Sequence, residues 1–166
     1  MADLLTQQQQ QRELVRRAVL GWSLACTEIL PGIDLGRDLV LAPPAADGSV
    51  DFALVEGVDN LGQSLTIALT TLLGSDVFNT AFGWDGLNAL AEETSPSLAR
   101  ERVRVSVAQL LRNDRRVRRI TDVSLSGDAG IQPPPAGSRE LDVKVAFETA
   151  TLEQTTLSLG KVAAGV

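Results

Sequence analysis

The chain contains no histidine and no tyrosine, and a single cysteine, Cys26, among its 166 residues. The missing histidine removes the usual general base and the commonest metal ligand. With one thiol and no imidazole the usual zinc patterns are excluded as well, so no metal or cofactor is expected. Cys26 cannot close an intramolecular disulfide and is expected to be a small core residue in a reducing compartment. Aromatic residues make up 4% of the chain, so the core must be built from Leu, Val, Ile and Ala. No apolar run approaches the roughly 20 residues that span a bilayer. The polar start, with five glutamines from Gln7 to Gln11, lacks the basic and apolar stretches of a signal peptide. The expectation is a protein made and kept in the cytoplasm, with no direct membrane insertion.

What is present suits one domain with an appendage: 44% of residues are hydrophobic, enough to bury a core at this length. Leu14, Val15, Ala18, Val19 and Trp22 recur at helical spacing, which predicts a docking helix within an N-terminal segment, residues 1–30. On its other side, Glu13 and Arg17 are spaced for an i,i+4 pair. Pro31-Gly32 breaks the pattern and opens the main domain, residues 31–166. Ile33, Leu35, Leu39 and Leu41 then alternate as on a half-buried strand. Asp51 to Val58 gives a second strand, and the two form a hairpin. Asn60 is the expected N-cap of a helix carrying Leu61, Leu65, Ala68, Leu69 and Leu72, with Gly74 as its stop. A short helix is expected around Leu87 to Glu92. Ser95-Pro96 starts a further helix running to about Arg112, with Ala99, Val103, Val107, Leu110 and Leu111 inward. Three strands close the chain: Val117–Leu125, then Leu141–Glu148 after a Gly/Pro loop, then Thr155–Val162. Helices and strands are segregated, which predicts an α+β fold with a small mixed or antiparallel sheet, two to three packed helices and an N-terminal helix.

Charge is unevenly spread. Eight of the 15 cationic residues lie between 100 and 119, opposed there by Glu101 and Asp114 alone. That stretch therefore carries +6, and the rest of the chain −12. Such a patch is either a solvated helix face or a protein-binding site, since arginine makes planar paired contacts with carboxylates. Nucleic acid is not the expected partner: no aromatics interleave with the arginines, and the whole chain carries −6.

Three stretches carry a resemblance. The first is Asn60-Leu61-Gly62-Gln63-Ser64-Leu65, running on to Leu69-Thr70-Thr71-Leu72-Leu73-Gly74. The second is Asn79-Thr80-Ala81-Phe82-Gly83-Trp84-Asp85-Gly86-Leu87. The third is Arg112-Asn113-Asp114-Arg115-Arg116-Val117. In order and spacing, Asp59 to Val123 resembles the baseplate-wedge family of phage tails, type VI secretion and extracellular contractile injection systems. That family commonly carries an acidic residue, Pro, Arg and an aliphatic at the third stretch. Asp114, Arg116 and Val117 match, while Arg115 stands where Pro is usual and does not fix φ at the helix exit.

The resemblance implies a structural role with no enzymatic activity. The subunit would link the wedge core bundle to the first sheath ring, in a contractile tail-like particle or virion baseplate. The implied partners are larger wedge subunits, the sheath protein and the central hub or spike proteins. Asp114, Arg115, Arg116, Arg118, Phe82 and Trp84 would contact partners. Val143, Val145, Leu157 and Leu159, on the last two strands, would face the sheath, the terminal strand offering an edge for strand exchange. Trp84 has a second reading, as the residue that packs its loop onto the core. An alternative function is a small acidic protein-binding adaptor. A third is a cell-wall hydrolase, a label that family members have sometimes carried. Its carboxylates would come from Asp76, Asp85, Glu92 and Glu93, but an acidic chain offers such pairs by chance.

Overall fold

A computed structural model describes residues 2–28, 37–86, 95–128 and 140–163. The fold is α+β: among the described residues there are three helices, and small sheets whose paired strands are all antiparallel. The chain divides into two compact units, residues 1–63 and 64–166. The division falls inside helix α2 (Gly57–Thr70). The boundary expected at residues 30–31 lies outside the described residues, as do Ile33, Leu35 and the short helix around 87–92.

The first unit opens with helix α1 (Ala2–Leu20). It stops at Gly21, whose φ of +78° places it in the left-handed region. The Gly21 N–H donates to the Arg17 carbonyl at 3.0 Å, the single-bond form of a glycine helix stop. Trp22 is thereby removed from the helix and opens strand β1 (Trp22–Leu24). The expected docking stripe is not buried: Leu14, Val15 and Val19 are 68%, 50% and 42% exposed, whereas Leu20 is fully buried. Arg17 pairs with Glu56 at 3.4 Å and stacks over Trp22, 5.8 Å from the ring centre.

Strands β2 (Cys26–Glu28), β3 (Arg37–Leu39) and β4 (Leu54–Glu56) follow. β1 pairs with β4 and β2 with β3, while Leu41 bridges Phe52. These three arms meet in a closed ring of backbone bonds. Ala25 donates to Ala53, Ala53 to Val40 and Val40 to Ala25, at 2.8–2.9 Å. The expected hairpin is present between Val40 and Ala53, held by the Leu41–Phe52 bridge and the Ala42–Asp51 bond, and its base opens into a three-way junction with two alanines at its centre. The second strand is also shorter than Asp51–Val58, because α2 has begun by Gly57.

Helix α2 backs this junction through polar contacts. Asn60 is buried inside the helix's first turn, not at its cap. Its amide donates to the Leu20 carbonyl at 2.9 Å and accepts from Ser23 at 2.7 Å. Gln63 binds the Leu24 carbonyl and the Cys26 N–H at 2.9 and 2.8 Å. The strand face turned to α2 therefore holds Ser23 and Val55, and the bulky partners Leu24 and Leu54 stay exposed on the other face. Leu39 and Leu41 are exposed as well, against the half-buried expectation. Cys26 is only half-buried and lies at a strand start, not in the core.

The second unit is helix on sheet. Strands β5 (Val117–Leu125), β6 (Glu140–Thr149) and β7 (Gln154–Ala163) lie in the order β5-β6-β7. Helix α3 (Pro96–Asn113) packs on β5. Ala99, Val103, Val107 and Leu111 recur every four residues and are buried, as are Val123, Leu125, Val143, Val145 and Phe147. Each large side chain fully buried contributes roughly 1.5–3 kcal/mol. Leu110, expected inward, is half-buried at the edge of the stripe. At the other end of α2, Thr70 and Thr71 hydroxyls donate back to carbonyls three and four residues earlier. The helix ends there, four residues before Gly74.

Candidate protein-binding surfaces

The Asp114–Arg116 turn joins α3 to β5. Asp114 is the C-cap of α3, and its backbone N–H donates to the Leu111 carbonyl at 3.3 Å. Its carboxylate accepts from the Arg116 backbone N–H at 2.9 Å, from Nε at 2.9 Å and from Nη2 at 2.6 Å. Burial works against ionising Asp114 and is the largest single influence. The bonds from Arg116, with the charges of Arg116 and Arg115, together outweigh it and hold the carboxyl below its ordinary value. This pair does locally what a proline would do through φ: it fixes the exit from the helix.

The arginines divide into two groups. Arg100 and Arg104 bind the Asp128 carboxylate at 2.7 and 2.8 Å, and they also donate to the Ser126 and Val123 carbonyls. Arg116 is committed to Asp114, and Arg118 pairs with Glu148. In contrast Arg112, Arg115 and Arg119 are exposed and make no ion pair among the described residues. Arg118 is 59% exposed despite its partner.

The two edges of the sheet differ. Register shifts at Arg118 and Thr121 insert an extra residue twice into β5. Each shift leaves two successive residues exposed, Arg118-Arg119 and Thr121-Asp122. Bulges and charges of this kind blunt an edge. β7 pairs with β6 without interruption from Gln154 to Ser158, and this stretch has no charge and no proline. A shift follows at Leu159-Gly160, opposite Val143.

The residues expected to meet partners are therefore placed unequally. Arg115 and Arg118 are on the surface and Phe82 is half-buried. Trp84 is 2% exposed and is not presented to a partner. Its backbone is clasped to the end of α2: Trp84 N–H donates to the Thr71 carbonyl at 2.8 Å, and Leu73 N–H to the Trp84 carbonyl at 3.2 Å. Its ring covers Gly86 so closely that a Cβ there would lie 1.8 Å from it. Val143 and Val145 are fully buried and are not presented to a sheath. Leu157 is half-buried, and the side chain of Leu159 lies outside the described residues.

One exposed residue carried no signal in the sequence. Leu152, in the turn between β6 and β7, is 64% exposed and has φ +67°. The turn contains no Gly or Asn that would have announced a left-handed position.

Among the described residues no group of three or more Cys, Asp or Glu is arranged to hold a metal, and no helix is long and apolar enough to cross a membrane. Of the carboxylates considered for hydrolysis, Asp76 is used in its own turn, accepting from the Phe78 N–H at 2.9 Å. Glu92 and Glu93 lie outside the described residues. No protein-family model and no curated protein matches the chain.

Proposed function

We propose that the chain is a non-enzymatic baseplate-wedge subunit of a contractile injection machine or phage tail, joining larger wedge subunits to the first sheath ring. It would be held in the cytoplasm during assembly and then retained in the particle. The observation that carries this reading is the edge of β7: an uncharged, unbulged run from Gln154 to Ser158, with no strand paired to its outer side among the described residues, so that it can offer backbone groups to an incoming strand. The sequence resemblance from Asp59 to Val123 supports it, and so does the cationic turn after α3.

The test is affinity purification of the tagged chain from its native cells, with mass spectrometry and negative-stain imaging. Sheath, tube and wedge proteins should be recovered, with contractile particles in the images. Thr156→Lys with Ser158→Lys, both at exposed positions of the edge, should lose the sheath while keeping the wedge proteins. Recovery of the chain alone from cells that make such particles would refute the reading and favour a small acidic adaptor.

A further inference from the structure

The tip of the β6–β7 turn is built around one buried side chain. Thr149 is fully buried. Its N–H donates to the Glu153 carbonyl at 2.9 Å, and its carbonyl accepts from the Leu152 N–H at 2.9 Å. Its hydroxyl accepts from the Glu153 N–H at 3.2 Å. This network holds Leu152 at φ +67° with its side chain outward, 64% exposed. A bulky residue in the left-handed region is strained, and Gly or Asn would occupy it at less cost. Burial does not recompense the leucine, because the side chain is in water.

The same turn is bonded to the arginine-rich exit of α3. Ala150 N–H donates to the Arg116 carbonyl at 2.8 Å, and Val117 is the register partner of Thr149. The backbone therefore brings the exposed Leu152 to the same end of the sheet as the α3 exit with its exposed Arg112 and Arg115, and Arg119 follows opposite Glu148. Arginine is enriched at protein interfaces, and strained backbone positions cluster at functional sites such as ligand clamps.

We propose that this end of the sheet docks an acidic amphipathic protein segment, with Leu152 packing on its apolar stripe and Arg112, Arg115 and Arg119 meeting flanking carboxylates. The guanidinium fork fits a carboxylate with two bonds. A nucleic acid strand would want stacking rings, and no aromatic residue occurs in 112–119 or 148–153. The inference shares the α3–β5 turn with the baseplate reading but does not depend on it.

The probe is a synthetic 18-residue helix with a leucine–alanine stripe flanked by glutamates, titrated onto the purified full chain by fluorescence anisotropy. A second peptide, with lysines for the glutamates, is the control. The acidic peptide should bind, weaken with salt, and exceed the lysine peptide at least tenfold. Leu152→Asn should keep or raise the thermal midpoint while weakening binding at least tenfold, as should the triple variant Arg112→Glu, Arg115→Glu, Arg119→Glu. Undiminished binding by folded variants overturns the proposal, and so does no binding of the acidic peptide at millimolar concentration. An 18-nucleotide oligothymidine binding as tightly would overturn it in favour of a general polyanion surface. A concentration-dependent dimer of the chain alone, abolished by Leu152→Asn in sedimentation velocity, would overturn it in favour of a second copy as occupant. Because no wedge or sheath protein is present, failure here leaves the native-cell purification to decide the baseplate reading separately.

Discussion

Gly83 shows how one missing side chain can hold a loop in place. With φ +107°, a Cβ at this position would sit 2.7 Å from the Thr71 carbonyl oxygen and 2.8 Å from that of Leu72. Both obstacles are backbone, so neither can swing aside. The glycine lets the 79–86 segment lie against the end of α2, where Leu72 and Trp84 form a parallel bridge. Trp84 then fills the space above Gly86. Its indole N–H is buried and makes no hydrogen bond among the described residues, so the ring is held by packing alone. Gly83→Ala should cost about 2–4 kcal/mol, combining strained φ with displaced backbone. Urea denaturation of the purified variant checks this, and a loss under about 1 kcal/mol would mean that the clasp gives way easily. The Phe-Gly-Trp spelling was visible in the sequence as a point of resemblance, but the crowding that requires glycine was not. It depends on residues eleven and twelve positions earlier returning to the same place.

At the scale of elements, local signals were read well wherever one residue decides the local conformation. Ser95-Pro96 starts α3 as expected, yet the Ser95 side chain does not cap it. Its hydroxyl lies 3.0 Å from that of Ser97 and makes no cap hydrogen bond. Proline at the first helical position lacks an N–H that would be unpaired there in any case and presets φ for the helix, so the start does not rest on the serine. Ser95→Ala should therefore cost less than about 0.5 kcal/mol, below the roughly 1 kcal/mol of a working cap. Thermal unfolding distinguishes the two values. The strand Leu141–Glu148 was equally legible, because alternation over a two-sided sheet maps directly onto burial: Val143, Val145 and Phe147 are inward and Lys144 is exposed. The first unit was not legible. Its strands are three residues long, too short for alternation to assert a face. The inward side is also polar, set by Asn60 and Gln63 reaching the Ser23 hydroxyl and, for Gln63, the strand backbone, 37 to 40 residues away. Hydrophobic pattern therefore pointed Leu39 and Leu41 inward, whereas the distant amide contacts put them outside. The candidate site divides on the same line. The arginine-rich stretch was countable in the sequence, but which arginines are already spent on Asp114, Asp128 and Glu148 depends on tertiary pairing.

For the whole molecule, that pairing makes stability depend on pH in a definite direction. Asp128 resembles Asp114. Burial, the largest influence, opposes its ionisation, but the Leu125 N–H, Arg100 and Arg104 together outweigh it and lower its carboxyl from the ordinary range. Both acids thus have folded values below the roughly 3.9 of an unfolded aspartate. Their contribution is complete above about pH 5, where both states are ionised, and is lost as pH falls through the folded values. Over that window the unfolded chain binds more protons, so stability must fall with acidification. Net repulsion does not account for the onset, since the chain passes through its isoelectric point near pH 4.6 and is almost neutral there. Further down, the arginines of 100–119 lose the carboxylates that separate them, and their mutual repulsion adds to the loss. The Asp114→Asn, Asp128→Asn double variant should be less stable than the parent at pH 6, because Arg100 and Arg104 then lose the Asp128 carboxylate and Arg116 that of Asp114. Its thermal midpoint should change less with pH, and the gap between the two proteins should narrow as pH falls below about 5 toward and through the folded values. A gap that does not narrow at any acid pH at which the parent stays folded would mean that these aspartates stabilise the fold through shape and neutral hydrogen bonds, not through their charge.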